Sequence, residues 1–193
     1  RYKYPKLDSN MQRLGAQLGV LQDFIALAKT GDLTMRQPTE AVWFWYPDVN
    51  PQESATSGTR YFMRVFELAK EPKEGAVRCW ADDKAAVYVN GERVLEVSYY
   101  DQPKLRRVSS LLKKGKNYIA IEAENTIGAA GILFEARILV DDDTTLVITG
   151  DDEWRVKEKV PASWVTKAFK GGKSLKVKLL GKGLIPPWET IDW

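Results

Sequence analysis

Two hydrophobic periodicities divide this chain. Met11, Leu14, Leu18, Leu21, Ile25 and Ala28 recur at alternating spacings of three and four residues, which places them along one face of a helix over residues 8–30. Ser9 stands where an N-cap belongs, with Gln12 three residues on as a capping-box partner, and Gly31 can end the helix in a left-handed conformation. Phe24 and Leu27 widen the stripe, so the helix must lie against something, either the chain's own body or a partner. For a partner, the contact seam would be Leu14, Leu18, Leu21 and Ile25.

From Ala41 onward the pattern becomes short runs of Val, Ile, Tyr, Phe and Trp, separated by Gly, Pro, Asn and Asp. Strands are expected near 42–46, 60–68, 76–81, 85–90, 93–98, 105–108, 117–124, 131–140, 145–149, 154–159 and 174–180. Alternation is clearest in Tyr118 to Ala123 and in Ile132 to Val140. Asn90-Gly91 lies between two apolar runs and predicts a type I′ hairpin, because both positions tolerate positive φ. Many short strands with no intervening helix imply an all-β sandwich or barrel. The organisation expected is a helix and linker over 1–40, a β-sandwich over 41–165 and an extension over 166–193. That extension carries Gly171-Gly172-Lys173, Gly181-Lys182-Gly183 and a stiff Ile185-Pro186-Pro187-Trp188 segment. Its large aromatics, Trp188 and Trp193, either fold back onto the domain or meet another molecule.

Composition narrows the chemistry. With 44% hydrophobic and 11% aromatic residues among 193, the chain can bury a sizeable core. A formal charge of +3 gives no single-sign field, and the lysine runs alternate with Gly or apolar residues, so no nucleic-acid partner is expected. There is no His, which removes Ser–His and Cys–His nucleophile pairs and imidazole metal sites. Cys79, the single cysteine, sits in an apolar run and reads as a small buried hydrophobe. No apolar run reaches the roughly 20 residues that cross a bilayer. Arg1 is not followed by a basic-then-apolar leader, so a targeting peptide is expected to have been removed or never to have existed.

The strand region resembles a known sequence type. The likeness runs from Trp43-Phe44-Trp45-Tyr46-Pro47 and Gly58 to Leu68, through Ala81-Asp82-Asp83 and Val87-Tyr88-Val89-Asn90-Gly91. It continues over Leu111 to Asn125, Ala130 to Phe134 and Asp151 to Val156. These pieces, spanning about residues 41–160, resemble galactose-binding-domain-like jelly rolls, the accessory modules of bacterial α-L-rhamnosidases and related secreted glycoside hydrolases. The resemblance implies an antiparallel jelly-roll β-sandwich, a binding role without catalysis, and an extracellular or periplasmic location. It also implies a structural calcium, for which Asp141-Asp142-Asp143 and Asp151-Asp152 are the oxygen-rich candidates, although neither has EF-hand spacing.

Sugar recognition needs a flat aromatic face and planar polar groups for paired hydroxyls. Trp80, Tyr99 and Tyr100 are the candidate platform, with Asp82, Asp83 and Asn125 as hydrogen-bonding partners. Trp43, Trp45 and Trp154 read as structural. Hydrolysis would instead need two carboxylates at a set separation, from among Asp82, Asp83, Glu122, Glu124, Asp151, Asp152 and Glu153; no enzyme activity is expected. The alternative function is a structural accessory subunit of a larger, membrane-associated assembly, held by the helix seam and by Trp188 and Trp193.

Overall fold

The computed structural model describes residues 41–98, 104–141, 144–169 and 173–189. The helix expected over 8–30, with Leu14, Leu18, Leu21 and Ile25, lies outside them, as do Tyr99, Tyr100 and Trp193. Twelve strands follow along the described residues: β1 Val42–Trp45, β2 Gly58–Leu68, β3 Glu74–Asp82, β4 Lys84–Val89, β5 Glu92–Ser98, β6 Lys104–Arg107, β7 Gly115–Asn125, β8 Gly131–Leu139, β9 Thr145–Ile148, β10 Arg155–Lys157, β11 Leu175–Lys176 and β12 Lys178–Lys182. They pair into two antiparallel sheets, ordered β12-β1-β8-β3-β6 with β9 on β8, and β11-β10-β2-β7-β4-β5. The all-β sandwich is therefore present, and each expected strand has a counterpart.

Alternation sets the layering. Ile119, Ile121 and Ala123 of β7 turn inward against Val77, Cys79 and Ala81 of β3 and Ile132, Phe134 and Ala136 of β8. Phe44 and Phe134 close on Trp154, at ring-centroid distances of 4.8 and 5.6 Å. Each fully buried large apolar side chain contributes about 1.5–3 kcal/mol. Burial pushes the Cys79 thiol far up, which leaves it unreactive.

The hairpin and turn signals at the far end of the sandwich cooperate. Asn90 and Gly91 take φ of 49° and 94°, as a type I′ turn requires. The Asn90 side chain accepts from the Tyr118 amide at 2.8 Å and donates to Asn117 Oδ1 at 2.8 Å. Asn117, fully buried, donates in turn to the carbonyls of Lys113 and Gly115. Two asparagines thus lock two turns together.

Both sheets also bury part of their outward faces. On the first, Trp43, Trp80 and Leu133 pack beneath Trp188, whose ring stacks on Trp43 at 4.1 Å and 15°. Farther along that face Glu135 accepts from Arg78 and from Arg137, and all three side chains are buried. On the second, Met63, Ala120 and Trp164 form a cluster flanked by Tyr61, Tyr88, Tyr118 and Phe169. The segment expected as a flanking extension is woven in: β11 pairs with β10, and β12 with β1.

Candidate functional site

Antiparallel register brings several chain reversals to one end of the sandwich. Gly58 faces Asn125, Lys84 faces Glu124, Asp82 faces Gly131 and Phe44 faces Ile132. The loop 46–57, the turn at Asp83 and the loop 126–130 therefore share one rim. Internal hydrogen bonds fix these loops. The Ala55 amide donates to the Gly128 carbonyl and the Ala130 amide to that of Pro51, both at 2.8 Å. Segment 183–188 reaches the same end, where Gln52 Nε2 donates to the Pro186 carbonyl at 2.6 Å.

Asp82 and Asp83, expected at a loop, stand at this rim in two different electrostatic settings. Asp83 Oδ2 accepts from both the amide and the hydroxyl of Thr126. Burial opposes ionisation of Asp83, but the Thr126 hydrogen bonds outweigh it and hold the carboxyl below its ordinary pKa. For Asp82 burial dominates and pushes the pKa up to about 6. The Trp188 indole, donating to Asp82 Oδ2 at 3.0 Å, pulls it part of the way back, while the neighbouring Asp83 charge adds to the rise.

Between about pH 4 and 6 the folded state retains a proton on Asp82 that the unfolded chain, with an ordinary value of 3.8, gives up. Stability contributed by Asp82 is thus present at low pH and declines as pH rises through that window. The lowered value of Asp83 acts with the opposite slope, below about pH 4. Urea unfolding at half-unit steps from pH 4 to 7 should show a shallower decline in Asp82→Asn than in the parent. Parallel curves would refute this assignment.

Two of the expected ligand contacts are placed differently. Trp80 is 0% exposed: it shares the outer face of β3 with Asp82, and that face is roofed by Trp188. It cannot offer a platform. Asn125 is also 0% exposed, donating to the Ala55 carbonyl at 3.0 Å. Its Oδ1 lies buried without a protein partner. Trp188, one expected partner contact, has folded back onto the domain, the other outcome its position allowed. The apolar side chains that do stand open at the rim are Val49, 96% exposed, and Ile127, 81% exposed. Periodicity singles out neither, although an isoleucine inside Asn125-Thr126-Ile127-Gly128 is unusual turn chemistry.

The acids considered for calcium are otherwise engaged. Asp141 pairs with Lys70 at 3.3 Å, Asp151 with Arg64 at 3.2 Å and Asp152 with Lys176 at 3.0 Å; Asp142 and Asp143 lie outside the described residues. Among the described residues no group of three or more His, Cys, Asp or Glu is arranged to hold a metal ion. As placed, Asp141, Asp151 and Asp152 do not converge into the oxygen-rich cluster that a calcium ion needs. Glu153 pairs with Arg64, and Glu124 lies 3.8 Å from Lys84. Among the described residues no helix is long and apolar enough to cross a membrane.

No protein-family model matches the chain. The α-L-rhamnosidase of Streptomyces avermitilis is 27% identical over 157 residues, covering 77% of this chain and 15% of that protein. Among solved structures, the S. avermitilis α-L-rhamnosidase complexed with L-rhamnose superposes with a TM-score of 0.74 at 23% identity, over 81% of this chain and 16% of the other. The apo Pleurotus ostreatus lectin gives a TM-score of 0.72 at 25% identity, over 80% of this chain and 46% of the other. This chain thus spans under a fifth of the S. avermitilis rhamnosidase that it matches by sequence and by fold. By sequence and by fold it is similar to a β-sandwich segment of α-L-rhamnosidases and to the Pleurotus lectin, as its strand motifs imply.

Proposed function

We propose that this chain is a carbohydrate-binding module that holds a sugar at the Asp82–Asp83 rim and does not itself cleave glycosides. The observation that carries this reading is Asp83: an ionised carboxylate, held in place by Thr126 at an open strand end. Carboxylate oxygens accept from paired sugar hydroxyls, and exposed Ile127 and Val49 would cover the apolar side of a ring. The buried, unpartnered Oδ1 of Asn125 beneath the rim would gain from a donor brought by a ligand or by water. Support from relatives is consistent: one similar structure is a Pleurotus lectin in complex with GalNAc, another a rhamnosidase with L-rhamnose. Absence of catalysis is supported by the small share of the rhamnosidases that the chain spans and by the ion pairs that neutralise Asp151, Asp152 and Glu153. In this reading the module serves an enzyme or larger assembly outside the cytoplasm, at the cell exterior or in the periplasm.

Calorimetric titration with L-rhamnose, galactose and GalNAc tests the proposal. The parent should bind at least one of them, and Asp83→Ala should weaken that binding about 10- to 100-fold, as expected for a charged hydrogen bond. No heat from the parent with tens of millimolar of any of the three would overturn it. Release of the aryl group from an aryl α-L-rhamnoside would overturn the non-catalytic part.

A further inference from the structure

We infer that Trp188 is a positioning residue for the rim: the segment Gly183–Trp188 clasps all three rim loops, and its seating sets the sugar affinity of the Asp82–Asp83 turn. The inference rests on the rim reading and adds to it the residue that holds that site in its binding geometry.

The segment is tied down at both ends and between them, each time to a different part of the sandwich. Gly183 accepts from the Trp43 indole at 2.8 Å, and its amide donates to the Ala41 carbonyl at 3.0 Å. Pro186 accepts from Gln52 of the loop 46–57. Trp188, buried and stacked on Trp43, belongs to a cluster against which Ala129 of the loop 126–130 packs. The strand leaving that loop has room for the indole only because residue 131 is glycine: a Cβ there would lie 2.5 Å from the Trp188 ring. The indole N–H then reaches Asp82 Oδ2 at the remaining reversal.

Packing alone would not require this last contact. Burying an aromatic ring needs an apolar face, but a buried indole N–H needs an acceptor too, and here the acceptor is the carboxylate next in the chain to Asp83. Asp83 is held from the other side by β7 and the residue after it, its amide donating to the Glu124 carbonyl at 3.2 Å and its carboxylate accepting from Thr126. The direction of the Asp83 carboxylate is thus fixed from two sides, and Trp188 supplies one of them. Pro186 and Pro187 are exposed but bring no N–H to a sugar hydroxyl, so the segment holds the loops rather than the ligand. Lifting it would leave Asp82 without its donor and the loop 46–57 without the Gln52 anchor. By reciprocity, a sugar that binds better with the segment seated must also tighten the seat.

Calorimetry on the full chain with L-rhamnose, galactose and GalNAc compares the parent with Trp188→Phe, Gln52→Ala and Trp164→Phe. Trp188→Phe keeps a ring on Trp43 and loses the N–H; it should weaken binding about tenfold, as for one hydrogen bond to a charged group. Gln52→Ala changes a partly exposed side chain and leaves the core alone, and should weaken binding about threefold, as for a neutral hydrogen bond. Trp164→Phe makes the same truncation on the outer face of the second sheet and should leave affinity unchanged, which separates positioning from general loss of stability. The Trp188 indole N–H signal in a nitrogen–proton NMR spectrum, assigned by its disappearance in Trp188→Phe, should shift when the parent is saturated with the sugar it binds. Parent-like affinity in Trp188→Phe or in Gln52→Ala would overturn the inference. So would equal weakening in Trp164→Phe, or an indole signal that saturating sugar does not move. Each of these failures occurs in a parent that binds sugar. A parent that binds none of the three overturns the rim reading and this inference with it, so the two failures are distinguishable.

Discussion

Glu135→Ala is expected to destabilise the fold by about 3–5 kcal/mol, the range seen when one member of a buried ion cluster is removed. Glu135 is 1% exposed, and its two carboxylate oxygens take Arg78 on one side and Arg137 on the other. Deleting it takes the carboxylate away from two buried guanidinium groups. Against a typical total stability of about 5–15 kcal/mol, this leaves a substantial unfolded fraction at physiological temperature. The companion variant Arg78→Met/Glu135→Leu/Arg137→Met should recover most of the loss, since apolar packing replaces a cluster whose desolvation is costly. Urea denaturation measures both. A Glu135→Ala loss below about 1 kcal/mol would mean that water solvates the cluster.

Trp188→Ala should cost about 3–5 kcal/mol, as for other large-to-small aromatic truncations in cores. For a chain of this length that is a fall in Tm on the order of 10 °C. The ring stacks on Trp43 and roofs Trp80 and Leu133, so its removal opens the outer face of the first sheet to water. The same change should move the titration of Asp82 downward: burial is the larger cause of its raised pKa, and the lost indole hydrogen bond only partly opposes the move. Trp188→Phe should keep much of the stacking while losing the N–H. Thermal melts with a pH series on each variant separate the two contributions. A Trp188→Ala protein that melts within about 2 °C of the parent would refute the roofing role.

Local rules made much of the fold legible. Period-two runs marked the strands, and Asn90-Gly91 carried its own turn geometry because few other dipeptides accept two positive φ values. The position of Asp82 and Asp83 at a rim followed from a strand ending in short polar residues. What alternation does not reveal is which faces are covered. Trp80 and Cys79 lie on opposite faces of β3, yet both are buried, because Trp188, more than a hundred residues later, comes back to close the outer one. A contact at that separation leaves no periodic trace, so Trp80 read as an available platform. Asn125 is covered in a related way, since its amide nitrogen donates to the Ala55 carbonyl beneath the rim rather than standing open on it. Thr126 gave no signal at all, and its role became visible only through the geometry around Asp83. The alternating lysines of 173–178 did signal strands with one solvated side, although not that these would complete both sheets.

That last arrangement governs how the molecule is made. Within eight residues, Leu175 to Lys182, the chain supplies a border strand to each layer, crossing between them at Val177, which is buried in the core. Until a ribosome has released residue 182, β1 and β10 each present an unsatisfied backbone edge, the kind of template on which other chains assemble. Completion of the sandwich must therefore wait for the end of this stretch to leave the exit tunnel, and a nascent chain stalled short of it is the form most exposed to aggregation.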